Sequence, residues 1–539
     1  MSLQFITGNS GNGKTKYLFN TIVKEAKAHP RDNYLVIVPE QFTMQTQRQL
    51  VDLSENKAIM NIDVLSFKRL AYRVFDELGI TNLTVLEETG KNLVLRKLAA
   101  QEADKLGVIG RNLNRIGYIS EVKSLLSELV QYNISPKELG RYIDSGRLSD
   151  TLSGKLKDVL VLYEAFEKFM QDKYITAEEI LNVLCNVAEE STILRNSVIA
   201  FDEFTGFTPI QNQLIKKLFV ISKKIYVTLT IDCREDIFKS RGMQELFDMP
   251  KRTVKSLAEM AAFYGIEVEE PIILDKNYRL SENEELSFME QQLFRKRRCS
   301  FEKEPKHIHI DCLRDPKQEL TRIARKINEL VRNESLRYRD IAIVTGDVNT
   351  YANYVREIFD KYNIPYFIDA TQEILFHPFI EFIRSIPDIA AQNFSADAVF
   401  RFLRCGFSKL SDNEIDVLEN YVLACGVRGK SAWDKKWVRL PKQKACYDLE
   451  LLNKSREYII ELLKPVYQVF SDKKSKVKDY VMAIYRLTVL LDIPDKLAKK
   501  EQGLLEAGDQ TASKEYGQIY KIVMQLFEKY VAVLGDECM

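Results

Sequence analysis

The stretch "GNSGNGKT", Gly8–Thr15, decides the fold of the first part of the chain. It matches the phosphate-loop pattern G-x-x-x-x-G-K-[ST], and an apolar strand-like run precedes it while a helical apolar stripe follows it. In such a loop, backbone N–H groups and the helix N-terminus face phosphate oxygens, Lys14 reaches the β- and γ-phosphates, and Thr15 binds Mg²⁺. The alternative is a Gly- and Asn-rich turn with a chance lysine. The predicted nucleotide site comprises Gly8, Asn9, Ser10, Gly11, Asn12, Gly13, Lys14 and Thr15.

A phosphate loop needs an acidic partner at the end of a neighbouring strand. The run "SVIAFDEF" supplies one, since four apolar residues lead into Asp202 and Glu203. Asp202 is expected to hold Mg²⁺ through water, beside Thr15, and Glu203 to orient or activate the attacking water. Ordinary solvated carboxylates at a strand end are the alternative. The long separation from the loop and the absence of an N-K-x-D guanine-reading tetrad favour an ATPase with an inserted domain.

The hydrophobic pattern divides the 539 residues into alternating α/β and helical parts. The second α/β part is expected to contain strands at "HIHIDCL", "DIAIVTGD" and "IPYFID". The predicted domains are 1–82 with 195–270 for the first α/β domain, 83–194 for a helical insertion, 271–380 for the first part of a second α/β domain, and 381–539 for a second, incomplete helical insertion.

Composition sets limits on the class of protein. The net charge of +1 means that any nucleic-acid surface must be a local basic patch. Eight scattered cysteines form no C-x-x-C pair, which is typical of reduced thiols and not of a zinc or iron–sulfur site. The sequence has no run long enough to span a bilayer and no signal-peptide pattern, so a cytoplasmic location with no membrane contact is expected.

The run "DEFTGFTPIQ" resembles the DE-x-Q-D-x-N-x-x-Q motif of superfamily 1 helicases of the UvrD and RecB type, with Gln211 in the distal glutamine position. The runs "VIVPEQFTMQTQ", "VLSFKRLAYRV", "IPYFID" and "LENYVLA", in this order, resemble the AddB members of the AddAB helicase–nuclease family. That resemblance implies an α/β fold with two RecA-like parallel-sheet domains and inserted all-helical domains. It adds Gln211 to the predicted ATP-binding residues.

The resemblance also implies a role and partners. Family members form a heterodimer with an AddA-type motor and nuclease subunit, process double-strand DNA ends for recombinational repair, and scan single-stranded DNA for a hotspot sequence. Their C-terminal nuclease carries a 4Fe-4S cluster. Because members are considerably longer than this chain, the nuclease, its carboxylates and its cluster cysteines are expected outside it, and the chain is expected to be an N-terminal portion.

Two further helicase motifs bear on turnover. The strand that ends in "TLTIDCRED" has Asp232 where motif III begins but lacks the motif's glutamine. The run "LDKNYRL" resembles motif IV and places Arg279 in a phosphate-sensing, catalytic position; an ordinary linker between domains is an equal alternative. The chain is thus predicted to be either an ATP-binding helicase-like subunit or a nucleotide- and DNA-binding scaffold that does not translocate.

Segments that follow strands in helicases of this shape face single-stranded DNA. The predicted DNA contacts are Gln41, Lys68, Arg69 and Arg73. Phe67 is either a stacking platform or a core residue, and the core is favoured. The basic run "RGKSAWDKKWVRLPKQK", residues 428–444, contains both tryptophans; these either contact DNA or anchor a surface loop to a helical core.

Overall fold

The computed structural model describes residues 1–80, 85–108, 110, 117–145, 148–171, 174–295, 299–369, 373–440, 447–472 and 474–538. They form two units, Met1–His309 and Ile310–Met539, each of which is described here by itself. The predicted boundary between residues 82 and 83 lies outside the described residues, as do Cys446 and the end of the basic run, residues 441–444.

The first unit is built on a parallel sheet. Its strands are β1 (Ser2–Gly8), β2 (Tyr34–Ile37), β3 (Ile62–Leu65), β6 (Val198–Phe201), β7 (Lys224–Thr230), β8 (Glu267–Val268) and β9 (Ile272–Leu274), and a separate two-stranded sheet pairs β4 (Val85–Leu86) with β5 (Ile175–Thr176). The order is β3-β2-β6-β7-β1-β8, and β9 also pairs with β1. Since every pairing is parallel, the carboxyl ends of β1, β2, β3 and β6 meet at one edge.

Eleven helices accompany these strands in the described part of the first unit. They are α1 (Lys14–Ala28), α2 (Thr43–Leu53), α3 (Phe67–Leu78), α4 (Glu88–Gln101), α5 (Tyr118–Gln131), α6 (Pro136–Asp144), α7 (Asp150–Met170), α8 (Ile180–Val187), α9 (Pro209–Ile221), α10 (Asp248–Phe263) and α11 (Glu284–Gln292). Helices α1 and α2 bury their apolar stripes against one face of the sheet, and α3, α8, α9 and α10 cover the other. Helices therefore cover both faces of the sheet, which explains why its strands have apolar residues at successive positions and not at alternate ones.

Helices α4–α7 form a helical insertion between β3 and β6. A buried lysine joins its parts: Lys91 donates to Glu178 at 2.6 Å and to the Ser127 hydroxyl at 3.3 Å. The last helix of the predicted insertion, α8, packs with α3 and α9 in the core beneath the sheet. The part that stands away from the sheet is thus shorter than the predicted range of 83–194.

The described part of the second unit is helical. Its helices are α12 (Pro316–Asn333), α13 (Val348–Lys361), α14 (Pro378–Ala391), α15 (Ala396–Arg404), α16 (Asp412–Cys425), α17 (Lys430–Asp434), α18 (Leu449–Ser471), α19 (Val477–Leu490), α20 (Ile493–Glu506) and α21 (Gln510–Leu534). A small core joins α12 to α13, and a large aromatic-rich core joins α14–α21. None of the helices in the described ranges of the chain is long and apolar enough to cross a membrane.

The α/β class with a parallel sheet and helical insertions is confirmed, but two details differ. Residues 271–309 belong to the first unit, because the apolar strand β9 pairs with β1 and extends its sheet. The three segments predicted as strands of a second sheet, 307–313, 340–347 and 364–369, form no strand among the described residues. Val344 and Phe367 are 94% and 89% exposed, whereas strands of a parallel sheet are buried on both faces.

Candidate nucleotide-binding site

The phosphate loop leaves the carboxyl end of β1 and leads directly into α1. Gly11 and Gly13 have φ values of 88° and 80°, a left-handed region that residues with a Cβ rarely adopt. Gly13 is the N-cap of α1, and its carbonyl accepts the Tyr17 N–H at 2.8 Å. The positive end of the α1 dipole therefore faces the concave side of the loop, where an anion is favoured.

Two buried asparagines hold this loop from behind. The Asn9 side chain donates to Glu290 Oε1 and accepts the Cys233 N–H, both at 2.9 Å. Asn12 donates to the Leu274 carbonyl at 2.6 Å. These bonds tie the loop to the ends of β7 and β9 and to α11, which hold its backbone from behind.

Lys14 is the first residue of α1, and its ammonium lies inside the loop. It donates to the Gly8 and Asn9 carbonyls, both at 3.0 Å. Burial lowers its pKa, and the nearby carboxylates Glu203 and Asp202 oppose that shift. The cation is thus held at the place where a phosphate oxygen is expected.

The acidic pair lies opposite the loop at the end of β6. Asp202 is 1% exposed; the Thr228 hydroxyl donates to its Oδ1, while its Oδ2 is buried without a partner. Burial raises the pKa of Asp202, because the charged form loses solvation. Glu203 is exposed, lies 3.4 Å from the Thr15 hydroxyl that donates to it, and has a left-handed φ of 64°. A non-glycine residue in this conformation is strained, as is common at functional sites.

These groups line one cavity of about 430 Å³, within the size range of small-molecule sites. Its other walls come from the loop after β9. Asn277 donates to the Ser10 carbonyl at 2.9 Å, and the Tyr278 N–H donates to the Gly11 carbonyl at 3.0 Å. This places Arg279 and the exposed Tyr278 ring at the cavity. Arg279 therefore lines the same cavity as the phosphate loop, and its phosphate-sensing role stays a prediction.

Several residues of this site were not predicted from the sequence: the cavity-lining Phe204, Thr205, Thr228, Thr230 and Tyr278, and Asn277, which bonds to the loop. Asn277 and Tyr278 adjoin Arg279 in "LDKNYRL", so their position beside a predicted phosphate contact was a usable signal. Thr228 lies in the middle of an apolar strand, and the sequence contains no signal that its hydroxyl meets Asp202.

Gln211 does not line the cavity. Its side-chain oxygen accepts the Thr208 N–H at 2.8 Å, and the Thr208 hydroxyl accepts the Gln211 N–H, which is a capping box at the start of α9. A helix cap accounts for Gln211, and the arrangement does not support its predicted nucleotide contact.

The aspartate at the motif III position, Asp232, also has a structural role. Asp232 is buried and binds two arginines, Arg234 Nη2 at 2.6 Å and Arg295 Nε at 2.9 Å. Despite burial, these hydrogen bonds hold the pKa of Asp232 well below its usual range. Because both cations already occupy this carboxylate, it has no free oxygen to offer a nucleotide.

The residues present fit Mg²⁺ with a nucleoside triphosphate. The orphan Oδ2 of Asp202 and the Thr15 hydroxyl are oxygen ligands of the type that Mg²⁺ prefers, and the glycine-lined loop is shaped for phosphate. Within the described ranges, no group of three or more His, Cys, Asp or Glu side chains forms a metal cage. A site with few protein ligands suits Mg²⁺, since phosphates and water complete its coordination.

The predicted DNA-contacting residues lie at the same edge of the sheet. Gln41 follows β2, Lys68 and Arg69 begin α3 after β3, and all three side chains are exposed. Arg69 and the equally exposed Arg73 make only long ion pairs, with Glu40 at 3.9 Å and Asp63 at 3.8 Å. These side chains reach solvent, and their contact with DNA stays a prediction.

Three aromatic residues were expected either to contact DNA or to pack in a core, and all three pack in a core. Phe67 is buried and stacks on Phe201 with ring centroids 5.8 Å apart. In the second unit, Trp433 and Trp437 are 0% and 6% exposed and pack in the large core. None of these three rings is available for stacking on a base.

Comparison with known proteins places this chain in a family. The family described as "ADDB, N-terminal" matches residues 5–290. Over 100% of its length the chain is 38% identical to the B chain of the ATP-dependent helicase/deoxyribonuclease of Lachnoclostridium phytofermentans, 32% identical to that of Clostridium acetobutylicum and 31% identical to that of Clostridium novyi. It covers 47% of each relative, so the chain spans about half the length of the curated relatives it matches.

Proposed function

Because this chain belongs to the AddB N-terminal family, we propose that it is the ATP-binding, helicase-like part of a helicase–nuclease that processes double-strand DNA ends for recombinational repair. The observation that carries the proposal is the single cavity that brings Lys14, Thr15, Asp202, Glu203 and Arg279 together. In this proposal the first unit is the RecA-like ATP-binding domain with its helical insertion, and an AddA-type subunit is the partner in the cytoplasm.

The proposed chemistry assigns one task to each group. The loop amides and Lys14 bind the β- and γ-phosphates, and Thr15 and Asp202 hold Mg²⁺, which neutralises phosphate charge when bound. Glu203 orients the attacking water from its exposed position beside Thr15. Arg279 stabilises charge on the γ-phosphate.

The same proposal assigns DNA scanning to the edge of the sheet next to this cavity. Lys68, Arg69 and Arg73 meet the backbone, and Gln41 offers an amide that can read a base edge. An aromatic cluster links this surface to the acidic pair, since Phe67 contacts Phe204, which directly follows Glu203 and lines the cavity. Recognition of a hotspot sequence belongs to this surface.

A scaffold that binds nucleotide and single-stranded DNA without hydrolysing ATP is the second candidate. The observation that favours it is the motif III position, where the glutamine is missing and Asp232 is instead held by Arg234 and Arg295. Under this alternative, ATP serves to order the site and not to drive movement.

The test compares the wild-type chain with Lys14→Ala and with a matched control, Lys16→Ala, whose exposed side chain lies on the same helix. We expect Lys14→Ala to weaken Mg²⁺-dependent binding of a fluorescent ATP analogue by roughly tenfold or more, since it removes a charge-assisted phosphate contact. The control should bind as the wild type does. Equal binding by all three proteins would refute the nucleotide site.

An ATPase assay on the same three proteins separates the two candidate functions. Turnover of ATP that rises with single-stranded DNA and disappears in Lys14→Ala supports the motor. Nucleotide binding without stimulated turnover supports the scaffold.

A further inference from the structure

A ring of polar contacts joins the back of the phosphate loop to the motif III position. The buried Asn9 side chain accepts the Cys233 N–H and donates to Glu290 Oε1, both at 2.9 Å. Glu290 Oε1 lies 4.0 Å from Arg295 Nη2, and Arg295 Nε donates to Asp232 Oδ2 at 2.9 Å. Because Asp232 and Cys233 are adjacent in the chain, the contacts close into a ring.

Two arginines balance the two carboxylates of this ring. Arg295 lies between Asp232 and Glu290, and Arg234 Nη2 binds Asp232 from the other side at 2.6 Å. The Arg295 guanidinium is fixed further, because it lies over the Phe247 ring at 4.9 Å from the centroid. The ion pair of Arg295 with Glu290 is the longest contact of the ring, so the hydrogen bond to Asn9 is the stronger restraint on the Glu290 carboxylate.

The Glu290 carboxylate determines which way the Asn9 amide points. An ionised carboxylate only accepts hydrogen bonds, so the Asn9 NH₂ group faces Glu290 and the Asn9 oxygen faces the Cys233 N–H. The reverse orientation would place oxygen against oxygen and N–H against N–H. On its other side, the Asn9 backbone carbonyl accepts a hydrogen bond from the Lys14 ammonium at 3.0 Å. The backbone of Asn9 thus lies between Glu290 and the cation that reaches phosphate.

This ring lies outside the nucleotide cavity. Among the residues that the structure describes, those that line the cavity include neither Glu290 nor Arg295 nor Asp232. These three side chains can therefore influence a bound nucleotide only through the loop that they support.

We infer that Glu290 is a positioning residue of the nucleotide site, which orients the Asn9 amide and so holds the phosphate loop in the shape that binds a triphosphate. The inference rests on the proposed nucleotide-binding function and adds to it a residue that touches neither phosphate nor metal. It also gives Asp232 a role that needs no motif III glutamine, since Asp232 holds Arg295 beside Glu290. Without the carboxylate, the Asn9 amide turns more freely and the loop amides face phosphate for less of the time.

The experiment is a double-mutant cycle on Mg²⁺-dependent binding of the fluorescent ATP analogue to the full chain. Asn9→Ala and Glu290→Ala should each weaken binding roughly tenfold or more, as expected for the loss of a buried hydrogen bond to a charged group. The double variant should bind no more weakly than the weaker single variant, because both substitutions remove the same contact. Glu284→Ala is the matched control on α11, since its side chain is 71% exposed, and it should bind as the wild type does.

A conservative pair of variants distinguishes positioning from a general loss of stability. Glu290→Gln should bind within about threefold of the wild type, because its side-chain oxygen can still accept from the Asn9 NH₂ group. Glu290→Asp keeps the charge but is one methylene shorter, and it should lose affinity as Glu290→Ala does. Glu290→Ala leaves Arg295 paired with Asp232, so its melting temperature should stay close to that of the wild type. If Glu290→Ala does not fold, Glu290→Gln and Glu290→Asp decide between the outcomes.

The outcomes separate this inference from the proposed function. Wild-type affinity in Glu290→Ala or Glu290→Asp, with binding still lost in Lys14→Ala, overturns the positioning role and leaves the nucleotide site intact. Losses that multiply in the double variant, or a loss in Glu290→Gln as large as that in Glu290→Ala, show that Glu290 does not act by orienting Asn9. A wild-type chain that binds no ATP analogue refutes both.

Discussion

At the scale of single residues, a difference in burial suits two neighbouring carboxylates to different roles. Asp202 is enclosed and keeps one oxygen without a partner, whereas Glu203 reaches solvent. The enclosed group is suited to hold a cation, since a bound metal would replace the solvation that Asp202 has lost. The exposed group is suited to contact water.

We expect Asp202→Asn to make the nucleotide-free chain more stable near neutral pH while Mg²⁺-dependent nucleotide binding falls by roughly tenfold or more. The raised pKa of Asp202 means that its folded form binds a proton more readily than its unfolded form. Its contribution to stability is therefore present below the ordinary pKa of 3.8 and is lost as pH rises through the folded pKa. The stability that Asp202→Asn gains over the wild type near neutral pH should therefore vanish in acid. Thermal unfolding measured across pH checks this.

Glu203→Gln is the matched control, because its carboxylate is already solvated and its replacement should leave the melting temperature close to that of the wild type. A lower melting temperature for Asp202→Asn at neutral pH, or an equal gain in both variants, would contradict the assignment of a buried, costly charge to Asp202.

At the scale of elements, short segments gain their positions from distant partners. The segment Lys435–Arg439 has no strand or long helix of its own, and its place comes from side chains of α16 and α18. The same holds for the phosphate loop, whose asparagines bond to residues more than two hundred positions away.

We predict that Asn453→Ala lowers the free energy of unfolding of the second unit by about 2–4 kcal/mol, because it leaves the buried N–H and carbonyl of Trp437 unpaired. Urea unfolding followed by tryptophan fluorescence measures this. Lys454→Ala, an exposed neighbour on α18, should change the value by less than about 0.5 kcal/mol. Equal effects of the two substitutions would show that the hydrogen bonds of Asn453 do not hold the segment Lys435–Arg439 in place.

Elements with local signals were predictable, and elements that depend on distant partners were not. The loop Gly8–Thr15, β6 and its acidic end follow from motif and periodicity, and the structure brings them together. The segments 340–347 and 364–369 have strand-like alternation, yet an apolar alternating run does not specify a pairing partner. The burial of Trp433 and Trp437 depends on Asn453 and Arg456, which nothing in the basic run indicates.

At the scale of the whole molecule, the two units have separate cores and different contents. The nucleotide cavity lies within Met1–His309, while both tryptophans of the chain lie within Ile310–Met539. A ligand that binds the first unit stabilises the folded form of that unit. Tryptophan fluorescence reports on the core of the second unit, because both tryptophans lie there.

We expect Mg²⁺-ATP at about 100 times its Kd to stabilise the first unit by about 2.7 kcal/mol and to raise its calorimetric transition by several degrees. The transition followed by tryptophan fluorescence should not move. Lys14→Ala should abolish the calorimetric shift. A fluorescence transition that shifts with ATP by the same amount would show that the two units unfold as one.

The asparagine that braces the phosphate loop also bears on the covalent lifetime of the protein. Asn12 precedes Gly13, and an Asn-Gly pair in a mobile chain cyclises when the following amide nitrogen attacks the side-chain carbonyl. This attack releases ammonia and forms a succinimide, which water then opens to aspartate or isoaspartate. Here the Asn12 amide is committed to the Leu274 carbonyl, and Gly13 is held as the cap of α1. These contacts oppose an ageing reaction that would place a carboxylate against the Leu274 carbonyl and remove the brace behind the loop.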